Sequence, residues 1–206
     1  MKDVLGKIFG GSGKVKMMRL FLSNPETFYS TDEVSKKTKT YLELTEKELK
    51  NLLEAGFLKK KPTIVEKKIK ESRKIVLKKV RAVAWKLNPT FDYIEPIKNL
   101  LFGTGIFKRD DVIKKLKDTG KLKLIIVAGV FMGSENGSTA DLLVVGDKID
   151  RRALDNAVKV MESEIGHDLR YSVFDTEDFR YRLTVYDKFV RDILDFPHEK
   201  ILNDLD

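Results

Sequence analysis

The 206-residue sequence has no cysteine and only two histidines, His167 and His198. Disulfides and thiolate zinc sites are therefore excluded, and two lone imidazoles give no basis for a metal centre. His167 follows Gly166 at an expected helix end, where an imidazolium suits the helix dipole better than a ligand role. No run of about 18 apolar residues occurs, so no membrane-spanning helix is expected. The opening stretch MKDVLGKIFGGSG is too short and too broken by glycine for a secretory signal. Internal repeats and low-complexity tracts are missing as well. A cytoplasmic protein that leaves the membrane alone is the expectation.

Charge is plentiful but unevenly placed. Residues 1–98 hold 23 Lys and Arg against 12 Asp and Glu, whereas residues 99–206 hold 17 against 20. Between Lys59 and Lys86 alone, 12 basic residues face two acidic ones, Glu66 and Glu71. A basic half joined to a slightly acidic half suggests two domains with different work, the first suited to a polyanion.

Hydrophobic spacing supplies the elements. Val15, Met18 and Leu22, with Met17 and Phe21, form one helical stripe that Asn24-Pro25 ends. Thr31–Lys37 reads as a short helix with Ser30 or Thr31 as N-cap. Leu44–Leu58 reads as a second helix burying Leu44, Leu49, Leu52, Leu53 and Phe57, and Gly56 suits a left-handed cap. Thr63–Leu87 reads as two strands around a polar turn at Lys70–Lys74. The apolar residues of its second half keep no single period, so a bulge is expected near Lys78-Lys79. Further on, Lys121–Met132 and Ala140–Gly146 read as buried strands, Asp150–Ile165 as an amphipathic helix and Leu169–Phe174 as a third strand. A last helical stretch begins at Thr176.

Helix, turn, helix and basic hairpin, with the stretch LKNLLEAGFLKK, resemble the winged-helix transcriptional regulators over residues 28–87. The resemblance implies that the second helix of the motif enters the major groove and that the hairpin wing touches backbone or minor groove. Carried over, the groove positions are Thr38, Lys39, Thr40, Tyr41, Thr45, Lys47 and Lys50. The wing positions are Lys67, Lys68, Lys70, Arg73 and Lys74. One departure concerns Glu43, Glu46 and Glu48 on the presumed recognition helix. Carboxylates near phosphates oppose binding, which shifts the expected phosphate affinity toward the wing.

The stretch VFMGSENGSTADLLVVG, Val130–Gly146, resembles the nucleotidyltransferase superfamily. Active members carry paired carboxylates on the second strand, which hold two divalent ions for a nucleoside triphosphate. Here Asp141 fills the second carboxylate position and Thr139 the first. Asp168 and Asp175 flank the third strand, and Asp147 and Asp150 lie past the strand end. The resemblance therefore implies a catalytically inactive domain without a two-metal centre. Its Gly133, Ser134 and Asp141 are left as a site for a nucleotide or a single Mg²⁺ ion, with no other cofactor expected.

Both resemblances together match a family of small prokaryotic regulators with this layout. The expectation is an α+β chain: a winged helix-turn-helix domain over 1–89, linker helices over 90–120, and a nucleotidyltransferase-like α/β domain with a small mixed sheet over 121–206. It implies a transcriptional regulator that binds double-stranded DNA as a homodimer, the second domain serving dimerisation or ligand sensing. Two alternatives stand beside it: a nucleotidyltransferase acting on a small molecule or protein, and a partner protein of the toxin–antitoxin kind.

Overall fold

The computed structural model describes residues 3–71, 74–103, 109–132 and 138–205, and for residues 67–71 and 74–77 the backbone alone. The chain is α+β, with two small sheets in two compact units. Unit 1 comprises Met1–Thr104 with Ser163–His167, and unit 2 the remainder. Among the described residues, no helix is long and apolar enough to cross a membrane.

In unit 1, α1 (Val4–Phe9) precedes α2 (Ser12–Ser23), whose stripe Val15, Met18, Leu22, Met17 and Phe21 is wholly buried. The two-residue strand β1 (Tyr29–Ser30) leads directly into α3 (Thr31–Thr38). Ser30 caps α3: its Oγ accepts from Glu33 N, and the Glu33 carboxylate accepts from Ser30 N at 2.7 Å. This reciprocal box satisfies two backbone donors that a helix start otherwise leaves unpaired. The next helix, α4 (Leu42–Glu54), buries Thr45, Glu48, Leu49 and Leu52. Leu44, expected in that face, is 40% exposed, because one step of the helix puts Thr45 inward instead.

Gly56 adopts φ +79°, a left-handed turn that feeds β2 (Leu58–Glu71), which pairs antiparallel with β3 (Lys74–Leu87). The sheet order is β1-β3-β2. Strand β2 starts five residues before the expected Thr63 and takes in Pro62, opposite Val83. An outer strand tolerates proline, because one of its sides has no ladder bond to lose. The register runs one-to-one from Leu58↔Leu87 to Glu71↔Lys74, so the bulge expected near Lys78-Lys79 is absent.

The stretch 90–120 divides between the units. Helix α5 (Ile94–Phe102) places Leu101 in the core of unit 1, where Leu101 O accepts from Arg19 Nε and Nη2 at 3.2 and 2.9 Å. Burial pushes the Arg19 pKa below its ordinary value. Helix α6 (Arg109–Leu116) belongs to unit 2.

The sheet of unit 2 has the order β6-β5-β4-β7, from β4 (Lys121–Ala128), β5 (Leu142–Asp147), β6 (Tyr171–Phe174) and β7 (His198–Asn203). Strand β5 runs parallel to β6 and antiparallel to β4. Leu124, Ile126, Leu143 and Val145 form one core with Phe179, Val190 and Ile193. Alternation sends Ile125, Val127, Leu142 and Val144 to the opposite face, so both faces are covered and the strands read as unbroken apolar runs. Helix α7 (Arg151–Ile165) lies between β5 and β6 in the chain and buries Leu154, Val158 and Met161. The last helical stretch is two helices, α8 (Thr176–Thr184) and α9 (Lys188–Asp195), separated at Tyr186, whose φ is +54°. Strand β7, unforeseen in the sequence, follows and pairs antiparallel with β4.

Tyr171 on β6 donates its phenol hydrogen bond to Asp155 on α7. That bond is the main reason its pKa is pushed up to about 12. The folded value lies above the ordinary one near 10, so the stability this pair contributes is complete below about pH 10 and is lost as pH rises through 12. Asp155→Asn should bring the phenol back toward 10, read as tyrosinate absorbance after subtracting a Tyr171→Phe control. An unmoved titration would mean the bond is not the cause.

Candidate nucleic-acid interface

The turn between α3 and α4 is built by hydrogen bonds among its own residues. Thr38 Oγ1 donates to Val34 O at 2.7 Å and lies 2.6 Å from Thr40 Oγ1. Ser35 Oγ donates to Thr40 O at 2.7 Å. Lys39 sits between them at φ +51°, a left-handed conformation that favours glycine. Lys39→Gly should stabilise unit 1 by about 0.5–1 kcal/mol by relieving that conformation. If Lys39 touches a phosphate, the same change weakens duplex binding. Denaturant midpoint and binding isotherm, measured on one preparation, would show whether the two move in opposite directions.

Not every expected groove residue faces out. Thr38 and Thr45 are buried, and Thr45 Oγ1 donates to Tyr41 O at 3.0 Å. Both are used up inside the motif and cannot reach a base edge. Lys39, Lys47 and Lys50 are exposed, Thr40 is half-buried, and Tyr41, at the start of α4, is 88% exposed. The three carboxylates separate as well. Glu48 is buried and paired with Lys14 Nζ at 2.8 Å, so it is withdrawn from the outer face. Glu43 and Glu46 remain exposed. The outward side of α4 thus mixes lysine, carboxylate, tyrosine and leucine.

The hairpin is different in kind. Among its described side chains, none from Lys59 to Glu66 or from Lys78 to Val83 is buried, and Ile64 is 67% exposed. Only its base is anchored. There Tyr29 and Ser30 of β1 register with Trp85 and Ala84, and Trp85 Nε1 donates to Thr31 Oγ1 at 3.0 Å. Lys61 Nζ stands 3.6 Å over the Phe28 ring, and Lys86 pairs with Glu26 at 2.6 Å. Beyond that base, β2 and β3 make a bare two-stranded ribbon. Lys59 stands opposite Lys86 and Lys67 opposite Lys78, like-charge pairs that weaken a ladder. Lys67, Lys68, Lys70 and Lys74 are placed by backbone register alone, and Arg73 lies outside the described residues.

The other candidate site centres on Asp141, at the entry to β5. Gly133 and Ser134 lie outside the described residues. Asp141 is fully buried, and its carboxylate is occupied. Oδ1 accepts from Val130 N and Arg170 Nη2, both at 3.2 Å. Oδ2 accepts from Arg170 N at 2.9 Å and Arg170 Nε at 3.2 Å. Its backbone is held too: Asp141 N donates to Arg170 O at 2.7 Å, and Ala128 N donates to Asp141 O at 2.9 Å. Gly129, at φ +50°, leaves room for this; a Cβ there would stand 2.0 Å from Asp141 Oδ1. In this arrangement Arg170 supplies the positive charge that faces the buried carboxylate, and Asp141 works as a brace. Among the described residues, no group of three or more His, Asp or Glu is placed to hold a metal. Sequence reasoning missed Arg170, which lies 29 positions away with no local signal beyond a basic residue just before a strand. The chain matches no protein-family model, no curated protein and no solved structure.

Proposed function

We propose that the chain is a DNA-binding transcriptional regulator of winged-helix type. Unit 1 holds duplex DNA, and unit 2 is a non-catalytic, nucleotidyltransferase-like body for dimerisation or ligand sensing. The observation that carries this reading is the basic ribbon: 12 lysines and arginines against two glutamates between Lys59 and Lys86, on a hairpin with no buried side chain among those described from Lys59 to Glu66 and from Lys78 to Val83, rooted in a helix-turn-helix core. The order α2, β1, α3, α4, β2, β3, with the sheet arranged β1-β3-β2, agrees with a winged helix. In unit 2, the saturated Asp141 carboxylate supports a body without nucleotide transfer. Dimerisation would present two ribbons to two half-sites, which gives a small module the specificity one copy lacks.

The test is fluorescence anisotropy with the DNA upstream of the protein's own gene and a shuffled control. The upstream sequence should bind more tightly at both low and moderate salt. If six or more phosphates are contacted, affinity for either DNA should drop roughly a thousand-fold or more between 50 and 200 mM salt. Equal affinity for both sequences would remove the regulator and leave a polyanion binder. No binding to either at low salt would sink the reading.

A further inference from the structure

We infer that the ribbon β2–β3 lies lengthwise in the major groove of a duplex, with its two faces against the two phosphate walls. The inference rests on the DNA-binding reading above and goes beyond it, since a wing that only touches DNA with its end needs neither the length nor the charge distribution found here. Beyond the anchored base, ten consecutive cross-strand pairs run from Pro62↔Val83 to Glu71↔Lys74. At about 3.3 Å per residue that is about 33 Å, enough to follow the groove over several base pairs. With its faces toward the walls, the ribbon spans the groove by its thickness through the side chains, about 10 Å, which fits a groove about 12 Å wide and not one about 6 Å wide.

Charge placement selects the occupant. Alternation puts Lys59, Lys61 and Lys78 on one face of the ribbon and Lys60, Lys79 and Arg81 on the other, all six exposed. A flat anionic partner, such as a lipid surface, would be met by one face and leave the other unused. A groove walled by phosphate on both sides uses both.

The experiment compares the full chain with three variants on one duplex, by footprinting and by the slope of log affinity against log salt. In the first variant, Asn-Gly replaces residues 67–78. Its folding is checked by the emission of Trp85, the single tryptophan, which is buried at the ribbon base. Removing five cross-strand pairs takes away about 16 Å of ribbon, so the footprint should shorten by about two to four base pairs and the salt slope should become shallower. The other two variants change Lys59, Lys61 and Lys78, or Lys60, Lys79 and Arg81, to glutamine. Each set should reduce the slope by about 2–3, near 0.9 per lost phosphate contact. Guanine N7-methylation should interfere along the ribbon's stretch, and a minor-groove ligand should not compete.

An unchanged footprint and slope in the shortened variant would overturn the groove placement while leaving DNA binding intact. A slope moved by one face set alone would overturn it in the same way. Tighter binding to anionic vesicles than to duplex would overturn the choice of partner. No duplex binding by the full chain would remove the DNA reading itself, so the two failures are distinguishable.

Discussion

Arg170→Ala is expected to destabilise unit 2 by about 3–5 kcal/mol, the cost of leaving a buried charge without its partner. Arg170 itself is 52% exposed, and for that side of the pair solvent would soften the loss. Asp141 sets the magnitude, because its side chain has 0% exposure and would keep only the backbone donors of Val130 and residue 170. Adding Asp141→Asn to the Arg170→Ala variant should recover much of the loss, since a neutral amide needs no counter-charge. Gly129→Ala should harm the same spot by another route, forcing a methyl against the Asp141 carboxylate at a backbone angle that suits glycine. Urea unfolding followed by far-UV circular dichroism reads all three. A loss below about 1 kcal/mol for Arg170→Ala would show that the pair is not a brace and would reopen Asp141 as a ligand-binding group.

Phe21→Ala should have an effect of similar size in unit 1, about 3–5 kcal/mol. Phe21 is fully buried, and its ring meets Tyr29 edge-on with centroids 6.0 Å apart. Tyr29 registers with Trp85, so the cavity would open directly under the root of the ribbon. Tryptophan emission should therefore report this loss at a lower urea concentration than in the parent, while the signal from unit 2 stays in place. Duplex affinity should fall with it, although Phe21 cannot touch DNA. A loss of unfolding free energy below about 1 kcal/mol would show that the core relaxes around the missing ring.

The parts of the fold that were legible in the sequence are those with one buried face. The α2 stripe and the Ser30 cap could be read directly, because burial enforces a period of 3.6 and capping demands particular side chains. The central strands β4 and β5 were legible for the opposite reason, since burial on both faces leaves an unbroken apolar run. The ribbon misled the reading. Ile64, Val80 and Val83 keep no common period because none of them is buried, so nothing selects alternation and no bulge is needed to explain its absence. Strand β7 escaped notice because HEKILN is short, mostly polar and lies at a sheet edge, where a single partner suffices. The inward turn of Thr45 shows a similar limit: a threonine bonded to the preceding turn can replace leucine in a helix face, and hydrophobic patterning does not register it.

Pro62 has a consequence for how copies of this protein share a solution. A long ribbon with free edges is a ready template for another strand, and from there for fibre growth. Pro62 has no backbone N–H to offer an incoming strand, and Lys59, Lys60 and Lys61 beside it place like charge wherever a second ribbon would align. The lysines that suit this hairpin to an anionic partner thus also keep it from its own kind, and neutralising them would favour aggregation.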